Sequence, residues 1–148
     1  MLTIREASQS DERAICALLR SNELRGEGVL ESRTRYWVAE EDGRTVGAIG
    51  LEFGHTSVLL RSAIVDRDLR GRGLGQELIR TALNSARIHG YRIAYCFSTD
   101  AGHYWMARGF CPCSVDELTR ELPDAPQVRL FRQWGWLPTE VAYKMTLE

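Results

Sequence analysis

Arg70-Gly71-Arg72-Gly73-Leu74-Gly75 is the stretch on which the fold turns. An apolar run at 57–65 precedes it and reads as a strand. After it, Leu74, Leu78, Ile79, Ala82, Leu83 and Ala86 recur at helical spacing, which predicts an amphipathic helix over about 75–89 stopped by Gly90. Glycine takes positive φ and lets a ligand approach the backbone closely. The first amides of a helix lack i−4 carbonyl partners, and with the helix dipole behind them they attract anions. Arg70 and Arg72 add positive charge. A strand end, a glycine-rich turn and a helix start in this order suit a pyrophosphate.

Spacing narrows the choice of nucleotide. A Walker loop needs Gly-Lys-Ser/Thr, whereas Gly75 is followed by Gln76-Glu77. A dinucleotide fingerprint is G-x-G-x-x-G after the first strand of a βαβ unit. Here the spacing is G-x-G-x-G, and several strands come before it.

Working outward, residues 2–6 alternate as an opening strand. Ser10 is placed to cap a helix whose first turn carries Asp11 and Glu12 and whose buried stripe is Ile15, Leu18 and Leu19. Residues 21–35 are polar and read as a loop or a weak second helix. Strands at 36–40, 45–53 and 57–65 form an antiparallel meander, the first two joined by a turn at 41–44. A strand at 91–97 follows the long helix and is expected parallel to 57–65. A short helix at 101–108 ends at Gly109, and a strand starts at Phe110. Asp124 is placed to cap a helix running through Trp134, with Gln127 completing a capping-box pattern. The last strand is 139–147, and it can pair within the chain or across a homodimer. The expected fold class is α/β, one domain over 1–148: a mixed sheet with an antiparallel meander and a parallel strand pair, flanked by helices.

Composition excludes several function classes. The 148 residues carry a formal net charge of −1 with both signs interspersed, so there is no nucleic-acid footprint. No apolar run approaches membrane-spanning length, and residues 1–6 do not form the apolar core of a signal peptide. Cys16, Cys96, Cys111 and Cys113 form no CxxC pair, and His55, His89 and His103 are scattered, so no metal site is expected. Scattered thiols fit a cytoplasmic protein, with Cys16 and Cys96 as small core residues.

With the flanking elements in place, Arg70-x-x-Gly73-x-Gly75 resembles the R/Q-x-x-G-x-G/A motif of the GNAT superfamily, the Gcn5-related N-acetyltransferases. The resemblance extends over nearly the whole chain, including the short helix followed by Gly109-Phe110. It implies the GNAT fold, with the two parallel strands splayed, and acetyl-CoA as the acetyl donor. It also implies that the amides of Arg70, Gly71, Arg72, Gly73, Leu74 and Gly75 hold the pyrophosphate, while the backbone of Ala63, Ile64 and Val65 pairs with the pantetheine arm. A narrower likeness rests on Gly50-Leu51-Glu52, Leu59-Leu60-Arg61-Ser62, Val65, Phe97-Ser98-Thr99 and Leu122-Pro123. These resemble the amino-acid acetyltransferase branch, including the GNAT domain of N-acetylglutamate synthase and small acetyltransferases of arsenic resistance. That likeness implies a small-molecule amine as acceptor, with Arg61 meeting a substrate carboxylate. A guanidinium on a strand offers a bidentate partner, but Arg61 can also face solvent or pair with Glu52.

Acetyl transfer needs a neutral amine, so a substrate ammonium must lose a proton. Glu52 is the candidate base, with a solvated edge carboxylate as the competing reading. A tyrosine four residues before the glycine of Gly-Phe commonly protonates the leaving thiolate in GNAT enzymes. Trp105 holds that position here, leaving its neighbour Tyr104 as the candidate. No cysteine nucleophile is required. Two alternatives stay open: a non-catalytic CoA-binding regulatory module, and a peptide or protein acetyltransferase whose groove is framed by 21–35 and 114–138.

Overall fold

A computed structural model describes residues 1–148. The seven strands, β1 (Leu2–Glu6), β2 (Thr34–Glu41), β3 (Arg44–Phe53), β4 (Ser57–Val65), β5 (Ile93–Phe97), β6 (Cys111–Cys113) and β7 (Ala142–Thr146), follow the order β1-β2-β3-β4-β5-β7-β6. The chain forms two compact units, Met1–Leu51 with Ser62–Asn84, and Glu52–Arg61 with Ser85–Glu148.

In the first unit, β1 (Leu2–Glu6) pairs antiparallel with β2 (Thr34–Glu41), Leu2 opposite Glu41 and Glu6 opposite Trp37. A two-residue turn at Asp42-Gly43 then leads into β3 (Arg44–Phe53). Both turn residues have positive φ, +52° and +80°, the geometry that matches the twist of a hairpin. A single 3-10 turn (Gln9–Asp11) precedes α1 (Glu12–Ser21). Ser10 does not cap this entry. The Asp11 carboxylate does the work instead, accepting the Ser8 amide at 2.8 Å. Of the 21–35 segment, Ser21 ends α1 and Thr34 and Arg35 begin β2; residues 22–33 between them are irregular apart from turns and form no second helix. Ile15, Leu18 and Leu19 of α1 pack with Val29, Tyr36, Val38, Ala48 and Ile64 as the core of this unit. Each fully buried Leu or Ile there contributes roughly 1.5–3 kcal/mol of apolar burial.

β4 (Ser57–Val65) contains a kink at Ser62, where φ is +58°. A non-glycine residue at positive φ is uncommon in a strand and breaks its alternation. Arg61 and Ile64 are consequently both buried while Ala63 is exposed. The 3-10 turn Arg67–Leu69 and the glycine turn follow, then α2 (Leu74–Ile88), with all six predicted apolar positions buried.

In the second unit, Ser57–Leu60 of β4 pair in parallel with Ile93–Cys96 of β5 (Ile93–Phe97). After α3 (Gly102–Ala107) comes β6 (Cys111–Cys113), and the chain ends in β7 (Ala142–Thr146). β7 lies between β5 and β6, antiparallel to both, so the last strand pairs on both sides within the chain. β6 is an edge strand, where Pro112 costs no ladder hydrogen bond on its open side.

Two helices occupy the segment before β7. α4 (Val115–Glu121), which the sequence reading lacks, is capped by Ser114, whose Oγ accepts the Glu117 amide at 3.0 Å. α5 (Pro126–Trp134) starts after Ala125, and no side chain at that cap position satisfies it. Asp124 is therefore not its cap, and Gln127 completes no capping box. Leu59, Tyr95, Leu118, Leu122, Ala125, Val128 and Ala142 form the core of this unit.

Candidate functional site

The glycine turn is held open by its own backbone. Gly71 and Gly73 have φ of +82° and +80°, which an L side chain adopts only with strain. A Cβ added at either would meet nothing within 4 Å, so the space above the turn is open to a ligand. The Gly73 carbonyl accepts the Glu77 amide at 3.1 Å and begins the α2 ladder. The amides at 74–76 thus stand in the first turn of a 15-residue helix, where the dipole favours an anion. Leu74 contributes only backbone here, since its side chain is buried.

The two motif arginines differ in role. Arg70 donates through Nε to the Val65 carbonyl at 3.1 Å and through Nη2 to Asn22 Oδ1 at 2.6 Å. Both acceptors are uncharged, so Arg70 ties the turn back to the end of β4 and leaves its charge uncancelled by those bonds. Asp66 fixes the exit from the strand. It accepts the Asp68 amide at 3.1 Å and Arg44 Nη1 at 2.9 Å, and these bonds, the backbone one first, hold its carboxyl below the usual range. Arg72 lines a cavity of about 390 Å³ together with Leu2, Ile4, Glu41 and Glu77. Gly73 and Leu74 of the turn line it too, and two carboxylates share that lining, so the positive end of the anion site is the turn amides. The turn fits a pyrophosphate: open, positive-φ glycines, helix amides and net positive arginines coincide.

The second cluster, in the other unit, is built on Glu52 and Arg61. Arg61 Nη1 donates to Glu52 Oε2 at 3.0 Å, with side-chain exposures of 5% and 0%. Glu52 Oε1 accepts the backbone amide of Gln127 at 2.8 Å, a residue 75 positions away. Glu52 thereby satisfies a first-turn amide of α5 that the local sequence leaves without a cap. The solvated edge carboxylate is corrected: Glu52 is fully buried, and each oxygen has a partner. The solvent-facing alternative for Arg61 is corrected in the same way. Removing either partner of a buried ion pair leaves an uncompensated charge and costs roughly 3–5 kcal/mol.

Tyr104 and Trp105 sit on α3. Trp105 is buried and packs edge-on against Phe110, ring centroids 5.2 Å apart, so it is a packing residue. Tyr104 is 39% exposed, with the Arg108 guanidinium 4.6 Å from its ring centroid. Burial holds the Cys96 thiol well above its ordinary range, and Cys113 is pushed up to about 11 by burial first and Glu117 second. Neither is a thiolate nucleophile at neutral pH. Glu117 instead ties α4 to the sheet, accepting Tyr95 Oη at 2.7 Å and Lys144 Nζ at 2.9 Å.

Sequence reading missed two features. The Gln127 amide on Glu52 has no local signal, because its partner is far along the chain. The other is an aromatic group of Phe97, Phe131, Trp134 and Trp136, with centroid spacings of 4.8–6.1 Å, whose members come from separate elements.

The GNAT acetyltransferase domain model matches residues 32–112. An amino-acid acetyltransferase of Pseudomonas syringae pv. syringae is 30% identical over 128 residues, covering 78% of this chain and 29% of that protein. This chain therefore spans under a third of the length of the curated relatives it matches. Among solved structures, N-acetylglutamate synthase from Neisseria gonorrhoeae, complexed with coenzyme A and N-acetyl-glutamate, superposes with a TM-score of 0.79 at 23% identity, over 100% of this chain and 35% of that one. A GNAT-family acetyltransferase from Staphylococcus aureus gives 0.79 at 18% identity, with both chains covered fully. These likenesses bear out the mixed-sheet GNAT fold and the resemblance to the amino-acid acetyltransferase branch. The chain belongs to the GNAT acetyltransferase family.

Proposed function

We propose that this protein transfers an acetyl group from acetyl-CoA to the amine of a small carboxylated molecule, an amino acid or a close analogue, in the cytoplasm. The observation that carries the acceptor class is the buried Arg61–Glu52 pair. A guanidinium recognises carboxylates through paired N–H donors, and the amino-acid acetyltransferase relatives support a carboxylated acceptor.

Acetyl-CoA, when bound, supplies an activated acetyl group as a thioester. The amides at 70–75 bind its pyrophosphate, and the backbone of Ala63, Ile64 and Val65 pairs with the pantetheine arm and carbonyl. Arg61 takes the acceptor's carboxylate. In doing so it loosens its hold on Glu52 Oε2, which then accepts the proton of the substrate ammonium. The amine nitrogen bonds to the acetyl carbon as the carbon–sulfur bond breaks, Tyr104 gives the departing sulfur a proton, and the second proton shed by the nitrogen passes through solvent to restore Tyr104.

A panel of amino acids and their carboxamides, assayed by CoA release, tests this reading. A carboxylated amine is expected to exceed its carboxamide at least ~10-fold in kcat/KM, a preference that Arg61→Lys reduces while keeping the buried charge. Equal rates for acid and amide would contradict the carboxylate role of Arg61.

Burial of Trp105 at the usual tyrosine position favours a second reading, a CoA-binding module without turnover. Release above thioester hydrolysis with any natural amine, free or peptide-borne, removes it.

A further inference from the structure

Gln127 occupies the second position of α5, directly after Pro126. Its backbone amide is committed to Glu52 Oε1. Its side-chain oxygen, Oε1, is buried and has no hydrogen-bond donor. Leaving such an acceptor unsatisfied costs about 1–3 kcal/mol, and buried polar atoms without partners are rare enough to need a cause. Arg61 is reached through one shared neighbour, Glu52, which bonds to both residues.

The chemistry of these groups is complementary to one kind of ligand. Arg61 can only donate, which suits a carboxylate. The Gln127 carbonyl can only accept, which suits an N–H. An α-amino acid presents both within one small molecule. We propose that Gln127 is a specificity-determining residue for the acceptor, its Oε1 accepting an N–H of the amine whose carboxylate Arg61 holds; this rests on the carboxylated-amine reading above. Because the amide is uncharged, it orients the nitrogen without competing for its proton. The unsatisfied oxygen is thus a binding group completed by substrate. The backbone bond to Glu52 keeps the residue in place whatever its side chain does.

Gln127→Met separates these functions. It keeps the length of the side chain and the backbone amide on Glu52, and it removes the acceptor. The expected result is a KM for the amino-acid acceptor raised ~10-fold, equivalent to about 1.4 kcal/mol, with kcat within roughly twofold. KM for acetyl-CoA stays at the wild-type value, and the melting temperature of the substrate-free protein is equal or higher, because an unsatisfied buried acceptor has been removed. Gln127→Asn keeps an uncharged amide oxygen on a shorter stem and is expected to recover part of the loss. A structural role would instead lower the melting temperature and disturb both substrates. A wild-type acceptor KM in Gln127→Met, with Arg61→Lys impaired, would overturn the assignment of Gln127 alone. If the wild type acetylates no carboxylated amine, both readings fall.

Discussion

Asp11 carries the strongest charge contact for which the sequence offers only half the reason. Arg5 forks onto it, Nη1 to Oδ2 at 2.9 Å and Nη2 to Oδ1 at 2.8 Å, while Arg5 Nε reaches Glu40 at 2.7 Å. The Arg5 bonds first, and the Ser8 amide after burial is offset, hold the Asp11 carboxyl down to about 2. A carboxyl lower in the folded than in the unfolded state stabilises above its unfolded value, and loses that contribution as pH falls through the folded value. Asp11→Asn is therefore expected to cost about 1–2 kcal/mol at pH 7, discounted because Arg5 is partly solvated. The gap to wild type should narrow between about pH 4 and pH 2. Urea unfolding at several pH values checks this, and equal stability at pH 7 would contradict it. Asp11 is legible as an acid at a helix start. Arg5 is not, because its approach depends on the β1–β2 register. The same limit explains Ser10, which has the right chemistry two residues too late for the chain's actual entry at Ser8.

Among the elements, α5 shows what local signals can and cannot carry. Its end is written in the sequence. Gly135 has φ of +75°, its amide and that of Trp136 return to the last turn, and Trp136 packs on Phe131 at 5.4 Å. This is the left-handed closure that glycine favours. Gly135→Ala is expected to cost about 1 kcal/mol and lower the melting temperature by roughly 3 °C. CoA affinity should not change, which calorimetry can follow beside the thermal scan. The start of α5 is not legible, since its cap is Glu52 from a distant strand. α4 was legible in part: Ser114 followed three residues later by Glu117 is a capping-box spacing, obscured by a stripe as short as Val115, Leu118 and Leu122. α2 needed no such help, because six apolar positions repeat over four turns.

For the whole molecule, motif and element order carried the fold to the correct family, and relatives matching both confirm it. The strand order was less accessible. Insertion of β7 between β5 and β6 joins segments far apart in the chain, and no local pattern encodes that pairing. The buried cluster divides in the same way: pairing of Arg61 with Glu52, nine positions away, was among the sequence expectations, whereas the link from Glu52 to Gln127 arises only on folding. The glycine turn stands apart, because spacing, charge and the following helix all lie within one short stretch. We propose this turn, before any other feature, as the CoA pyrophosphate site. Calorimetric titration of CoA into wild type, Gly73→Ala and Gly73→Glu, with thermal unfolding of each, tests it most directly. Both variants bear the same positive-φ strain of about 1–2 kcal/mol, so comparing them isolates the carboxylate. Gly73→Glu should remain folded and bind CoA at least ~10-fold more weakly than Gly73→Ala, because negative charge enters the anion site. Equal CoA affinity in the two folded variants would contradict the assignment and leave the turn as a strand–helix junction.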